Sequence, residues 1–123
     1  MSGNLVVPIV MTYGSGDPDM VAAYEIAERA QKAKIEGWAE TFDFKLSEPV
    51  YVDLPTKPTS DKTINEIIEK IQRLNCDGIV AASTEYLRVA GLYGNLPNAV
   101  RHSGMRIWIA DLGSLPLEDR ISA

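Results

Sequence analysis

Histidine and cysteine are almost absent from this chain, which has one of each among its 123 residues. A single cysteine, Cys76, excludes a disulfide within the chain and fits a reducing compartment, so we expect a cytoplasmic protein. A metal site would need more nitrogen and sulfur ligands than Cys76 and His102 supply, unless carboxylates alone formed it. We therefore expect neither a metal nor a cofactor.

Long apolar runs and an excess of positive charge are also missing. The longest apolar runs are far shorter than a membrane span, and the first residues lack the pattern of a secretory signal, so we expect no membrane association. Twelve lysines and arginines stand against 17 acidic residues, for a net charge of −5. Because proteins normally bind duplex DNA through a basic face, we expect no strong autonomous DNA binding.

What the chain does contain is the alternating pattern of an α/β protein. Its length and its 46% hydrophobic content suit a single domain over residues 1–123. Apolar runs predict strands at residues 5–11, 39–46, 77–83 and 105–111, with helices between them. Right-handed crossovers then predict an open four-stranded parallel sheet, in the order 2-1-3-4, with helices on both faces.

Two helices are predicted before the third strand. Asp17 and Pro18 suit the start of the first helix, and Gly37 suits its end. The small apolar residues of this helix are predicted to pack closely against the sheet, and they are Ala23, Ile26, Ala27, Ala30 and Ala33. The apolar residues of the second helix recur at i, i+3, i+4 and i+7, which predicts a core face of Ile64, Ile67, Ile68, Ile71 and Leu74.

Prolines and glycines predict the irregular parts of the chain. Residues 47–61 contain three prolines and are predicted to be a loop. Residues 86–103 are predicted to be mainly helical, with a break caused by Gly91, Gly94 and Pro97. Pro8 has no N–H to donate within a sheet, so it is predicted to lie at a strand start or a bulge.

Ligands of open parallel sheets bind beyond the carboxyl ends of the strands, and this predicts the site. The candidate ligand-binding residues there are Tyr13, Gly14, Gly16, Thr84, Glu85 and Arg88. Ser15 is the candidate nucleophile, but a serine needs a neighbouring base or a cluster of cations to react. A turn serine between two glycines, or part of a phosphate cradle before a helix, are the alternatives that the residues leave open.

Several of these features together resemble the catalytic domain of the serine recombinases, the resolvase/invertase family. They are the order of elements, the strand-end serine, "ASTEYL" at 82–87, "GDPD" at 16–19 and "AERAQKAKIEGW" at 27–38. The likeness spans residues 5–111 and is greatest to short, divergent resolvase-like proteins of actinobacteria. It implies a resolvase-like fold, in which Ser15 attacks a DNA phosphodiester while several arginines stabilise the charge on the phosphate.

The arginine positions of that family are not kept in this chain. The matching residues are Tyr13, Tyr86 and Val89, and Arg88 lies one position from the last of them. Lys57 and Lys62 are the cations nearest the position of a further family arginine, and the sequence leaves open whether they replace it. Losing one such cation costs about 100- to 1000-fold in rate. Residues 112–123 are also expected to be too few for the family's long dimerisation helix.

These departures predict a degenerate, catalytically inactive resolvase-like domain. Its role would be binding or regulation through a protein partner or self-association. One alternative is a small-ligand-binding α/β domain with its site at the strand ends, because "GW" at 37–38 together with residues 64–83 also resembles half of a sugar-binding regulator domain. The other alternative is an active serine recombinase or nuclease, a DNA strand transferase that uses Ser15.

Overall fold

The computed structural model describes residues 4–13, 18–54, 61–89 and 95–117. Its elements are β1 (Asn4–Tyr13), α1 (Val21–Phe42), β2 (Phe44–Leu46), β3 (Val50–Leu54), α2 (Asp61–Leu74), β4 (Gly78–Ala81), α3 (Thr84–Val89), α4 (Asn95–His102) and β5 (Arg106–Ile109). One short 3-10 turn precedes α1 and another follows β5. No helix in the described ranges has the length and apolar character to cross a lipid bilayer.

The five strands form one parallel sheet in the order β2-β1-β4-β5, with β3 also paired to β1. Val6 pairs with Leu46 on one side and with Gly78 on the other. Because Ile9 likewise pairs with both Val50 and Ala81, β2 and β3 lie along the same edge of β1. The predicted open parallel sheet is confirmed, but it has five strands instead of the four predicted.

β3 is a strand in a segment predicted to be a loop, so that prediction is wrong for residues 50–54. Asn4 pairs with Phe44 but Ile9 pairs with Val50, so the edge strand has one residue more than β1 between these points. Pro8 explains the interruption. The carbonyl of Val6 accepts from the Ser47 N–H, so the main-chain groups of Val6 point toward the edge of β1 that pairs with β2 and β3. Because these groups alternate in direction along a strand, Pro8 lies on the same edge, where it has no N–H to donate.

α1 is longer than predicted and continues past Gly37 to Phe42. It ends where Asp43 adopts a left-handed conformation, with φ of 60°, and donates its backbone N–H to the carbonyl of Ala39. The strand predicted at residues 39–46 therefore begins only at Phe44.

α1 also buries a different face from the predicted one. Ala23, Ile26, Ala30 and Ala33 are exposed and Ala27 is half-buried, so the prediction that these residues pack against the sheet is wrong. The residues that α1 buries are Gln31, Ile35, Trp38 and Ala39. Large side chains remove more apolar surface from water than alanines do, which favours the face that carries Ile35 and Trp38.

The core lies on both faces of the sheet. Under α1, Trp38 stacks on Phe44 with ring centroids 4.3 Å apart and lies 6.3 Å from Trp108. Each indole N–H donates to the turn after β5, from Trp38 to Gly113 at 2.8 Å and from Trp108 to Ser114 at 3.1 Å. These bonds satisfy the polar atoms of two large buried rings.

α2 and α4 cover the opposite face of the sheet. Ile64, Ile67 and Ile71 are buried as predicted, Ile68 is half-buried, and Leu74 lies at the exposed end of α2. The predicted division of residues 86–103 appears as α3 and α4. Pro97 does not cause the break, because it lies in the first turn of α4, where a missing N–H is tolerated.

Candidate functional site at the carboxyl ends of the strands

The carboxyl ends of β1, β4 and β5 lie at the same end of the sheet, where the site was predicted. Tyr13 is the last residue of β1, and its backbone pairs with Leu54. The candidate residues Gly14, Ser15 and Gly16, and also Lys57, lie outside the described residues. The roles given to them therefore stay predictions.

A side-chain bond from α1 holds the end of β1. The Oε1 atom of Gln31 accepts from the Met11 N–H at 2.8 Å, and its Nε2 donates to the Met11 carbonyl at 2.8 Å. Gln31 is only 1% exposed. Both bonds to Met11 form in a buried environment, where an unpaired amide group would be costly.

Gln31 takes the place of a neighbouring strand. The Leu5 carbonyl accepts from the Asp77 N–H at 2.8 Å, so the main-chain N–H and C=O of Leu5 point toward β4. Because these groups alternate in direction along a strand, those of Met11 also point toward β4. β4 ends at Ala81, opposite Ile9, and cannot reach Met11. The amide of Gln31 completes the ladder two residues before Tyr13. Nothing in the sequence pattern separates this glutamine from a solvent-facing one, and the predicted site did not include it.

α3 supplies the other predicted residues, directly after β4. Glu85 and Arg88 are exposed, and they form an ion pair with a nitrogen–oxygen distance of 3.4 Å. Thr84 is half-buried. Tyr86, one of the positions that match a family arginine, is half-buried and packs against the core clusters on both faces of the sheet.

A second ion pair lies near the carboxyl ends of the strands. The Lys34 Nζ atom is 2.7 Å from the Asp111 Oδ1 atom, which links α1 to the turn after β5. The Asp111 N–H in turn donates to the Ala82 carbonyl at 3.3 Å. Lys34 and Arg88 therefore each face a carboxylate. Within the described ranges, no three histidine, cysteine or acidic side chains gather as a metal site would require.

A cleft of about 280 Å³ opens between α1 and the interrupted edge strand, away from the predicted site. It is lined by Pro8, Val10, Lys32, Ile35, Glu36, Leu46, Ser47, Pro49 and Tyr51. At its rim the Lys32 Nζ atom lies 4.9 Å from the centre of the Tyr51 ring and 3.5 Å from Glu28. The hydrogen bond with Tyr51 raises the pKa of Lys32 above its ordinary value.

The fold matches a solved structure, the C-terminal catalytic domain of ISC1926 TnpA, an IS607-like serine recombinase. The match covers 96% of this chain and 78% of that chain, with a TM-score of 0.57 and 15% sequence identity. This chain has the fold of a serine recombinase catalytic domain. The resolvase-like fold predicted from the sequence is thereby confirmed.

The likeness to that recombinase is one of fold alone. No protein-family model matches the chain. No curated protein is similar to it either. At 15% identity, the chemistry of the recombinase does not carry over to Ser15 or to the residues of α3.

Proposed function

We propose that this chain is a serine-recombinase-like domain without strand-exchange chemistry, which acts by binding a partner. The observation that supports this most is the pair of Glu85 and Arg88, 3.4 Å apart on α3. Attack on a phosphodiester gathers negative charge on the phosphate, and fixed cations must meet that charge. Arg88 is the cation nearest to a family arginine position, and the carboxylate of Glu85 beside it would repel a phosphate.

The environment of Tyr86 supports the same proposal. In the serine recombinases that the sequence resembles, this position is held by an arginine that stabilises the reacting phosphate. Here the ring is half-buried and packs against both core clusters, so it contributes to packing instead of presenting a charge. An arginine in its place would lose that packing or bury part of a guanidinium group.

Covalent trapping on DNA tests this proposal. The protein is incubated with supercoiled DNA that carries candidate sites from its own genome and is then run on a denaturing gel. We expect no protein–DNA adduct, because the serine would lack the cations that stabilise phosphoryl transfer. An adduct that disappears in Ser15→Ala but persists in the matched control Ser83→Ala would instead identify an active recombinase.

Restoring the cations gives the complementary experiment. Tyr13→Arg, Tyr86→Arg and Val89→Arg are introduced together, with Glu85→Gln to remove the neighbouring carboxylate. Each cation is worth about 100- to 1000-fold in rate, so we expect the combined variant to form an adduct that depends on Ser15. The matched control carries Glu40→Lys and Glu69→Lys at two exposed sites, which raise the net charge by the same four units as the combined variant.

DNA affinity is a separate measurement. With a net charge of −5, we expect no saturable binding of duplex DNA at low micromolar protein in fluorescence anisotropy at physiological salt. Tight binding that weakens steeply with salt would contradict the proposal and favour the active alternative.

A further inference from the structure

The outward face of α1 carries an apolar stripe that the core of the domain does not use. It consists of Ala23, Ile26, Ala30, Ala33 and Gly37, all of which are exposed. Ile26 has 66% of its surface exposed, the largest value among the exposed large apolar residues of the described chain. The helix buries its other side, through Gln31, Ile35 and Trp38. Single exposed apolar residues are ordinary, but a continuous row of them marks a contact surface.

The spacing of the stripe is that of a helix that packs against another helix. Its positions are separated alternately by three and four residues, the heptad pattern of coiled coils. The small size of four of its five residues would allow a second helix to approach closely. Arg29 and Glu36 are exposed and occupy the positions that flank such a seam on one side, while Lys34 flanks it on the other.

We propose that this stripe is a dimer interface, in which α1 packs antiparallel against α1 of a second copy of the chain. Most symmetric dimers have a two-fold axis, so the surface must be complementary to itself. An axis that passes between residues 31 and 32 places Ile26 opposite the partner's Gly37 and Ala30 opposite the partner's Ala33. A side-chain carbon built at Gly37 meets no atom within 4 Å, so there is open space for an isoleucine to fill.

The charges beside the stripe also favour an antiparallel copy. In that arrangement Arg29 and the partner's Glu36 lie on the same side of the seam. Their positions differ by about 3 Å along the helix axis, because the two positions are two residues apart at a rise of 1.5 Å per residue. In a parallel pair Arg29 would face the partner's Lys34, a cation. A parallel pair would also set Ile26 against itself and leave the two Gly37 positions facing each other across a gap.

This interface does not depend on the proposed function, and the two can fail separately. Specific interfaces usually bury about 1,200–2,000 Å² in total, and one pair of helices buries less. We therefore expect a reversible dimer with a dissociation constant of about micromolar magnitude.

Disulfide trapping tests the register. In a Cys76→Ser background, Ile26→Cys protein is mixed with Gly37→Cys protein and oxidised, and the mixed disulfide is expected to dominate on a non-reducing gel. Ile26→Cys alone should trap poorly, because its two copies lie about 16 Å apart along the axis. Glu66→Cys on the exposed face of α2 is the control. Mixed trapping no greater than the control, or stronger trapping of Ile26→Cys with itself, overturns the proposal.

Sedimentation equilibrium supplies a test without cysteines. We expect the unmodified protein to dimerise, and Ile26→Asp to raise the dissociation constant at least tenfold, because a carboxylate would be buried in the seam. Glu25→Gln, exposed on the same helix but off the stripe, should leave the dissociation constant unchanged. Circular dichroism shows whether each variant keeps its fold. A protein that stays monomeric at all concentrations, or a dimer indifferent to Ile26→Asp, overturns the proposal.

Discussion

α1 and α2 cover opposite faces of the same sheet, but their sequences reveal their buried sides unequally. α2 has one apolar row, in which three isoleucines are buried as the spacing predicts and the fourth, Ile68, is half-buried. α1 has two rows on different sides, one with Ile35 and Trp38 and the other with alanines and Ile26. A helix with a single apolar stripe identifies its own core side, whereas a helix with two must be placed by the volumes of its neighbours.

The largest expected effect lies on α2. Ile71 is fully buried in the core cluster, so Ile71→Ala should lower the free energy of unfolding by about 2–5 kcal/mol through lost burial and a residual cavity. Urea denaturation measures this value. A loss below about 0.5 kcal/mol would mean that the apolar row of α2 does not identify the buried side of this helix.

A smaller loss is expected at the polar contact of α1. Gln31→Leu keeps a side chain of similar size but leaves the N–H and C=O of Met11 without their partner. Each buried unpaired group costs about 1–3 kcal/mol, and the burial of the leucine side chain offsets about 1.5–3 kcal/mol of their sum, so urea denaturation should reveal a net loss smaller than that of Ile71→Ala. Gln72→Leu, an exposed change on α2, is the matched control and should be nearly neutral. Equal stability of the two variants would mean that Gln31 contributes nothing to the fold.

The same contact predicts a dependence on pH in Gln31→Glu. A protonated glutamic acid can replace the amide as donor to the Met11 carbonyl, but a carboxylate cannot. Burial raises the pKa of such a group above its ordinary value of about 4.3. The variant should therefore approach wild-type stability below about pH 4.3 and lose stability as the pH rises through the folded-state pKa. A stability difference from wild type that does not change with pH would contradict this.

The smallest effect is expected on the exposed stripe. Ala30→Ser alters an exposed residue of α1, so it should change monomer stability by no more than about 0.5 kcal/mol at concentrations where the protein is monomeric. A loss as large as that of Gln31→Leu would mean that the alanine row packs inside the domain after all.

The sheet could be predicted from sequence because its evidence is local. Continuous apolar runs mark the buried strands, and the helices between them indicate parallel pairing, so the open parallel sheet followed from the chain alone, whereas its five-stranded order did not. β3 was missed because prolines on either side of it indicate a loop. The pairing that makes it a strand is contributed by β1, more than 40 residues earlier in the chain.

The sequence predicted which residues follow the strand ends, but not every contact among them. Arg88 and Glu85 lie directly after β4, as any sheet of this type requires. The role of Gln31 depends on how far β4 extends beside β1, which no spacing within α1 records. Contacts between segments that are distant in the chain determine the roles of residues such as Gln31, and a single sequence does not show those contacts.

The interruption at Pro8 has a consequence for how these molecules avoid aggregating. An exposed strand edge that is long and flat invites strands from other molecules to add to it and extend into fibrils. Here β2 and β3 have three and five residues, and Pro49 between them has no N–H to offer an incoming strand. Lys45 adds an exposed charge to the same edge. The break that begins with one proline in β1 thus protects the sheet from fibril growth at this edge.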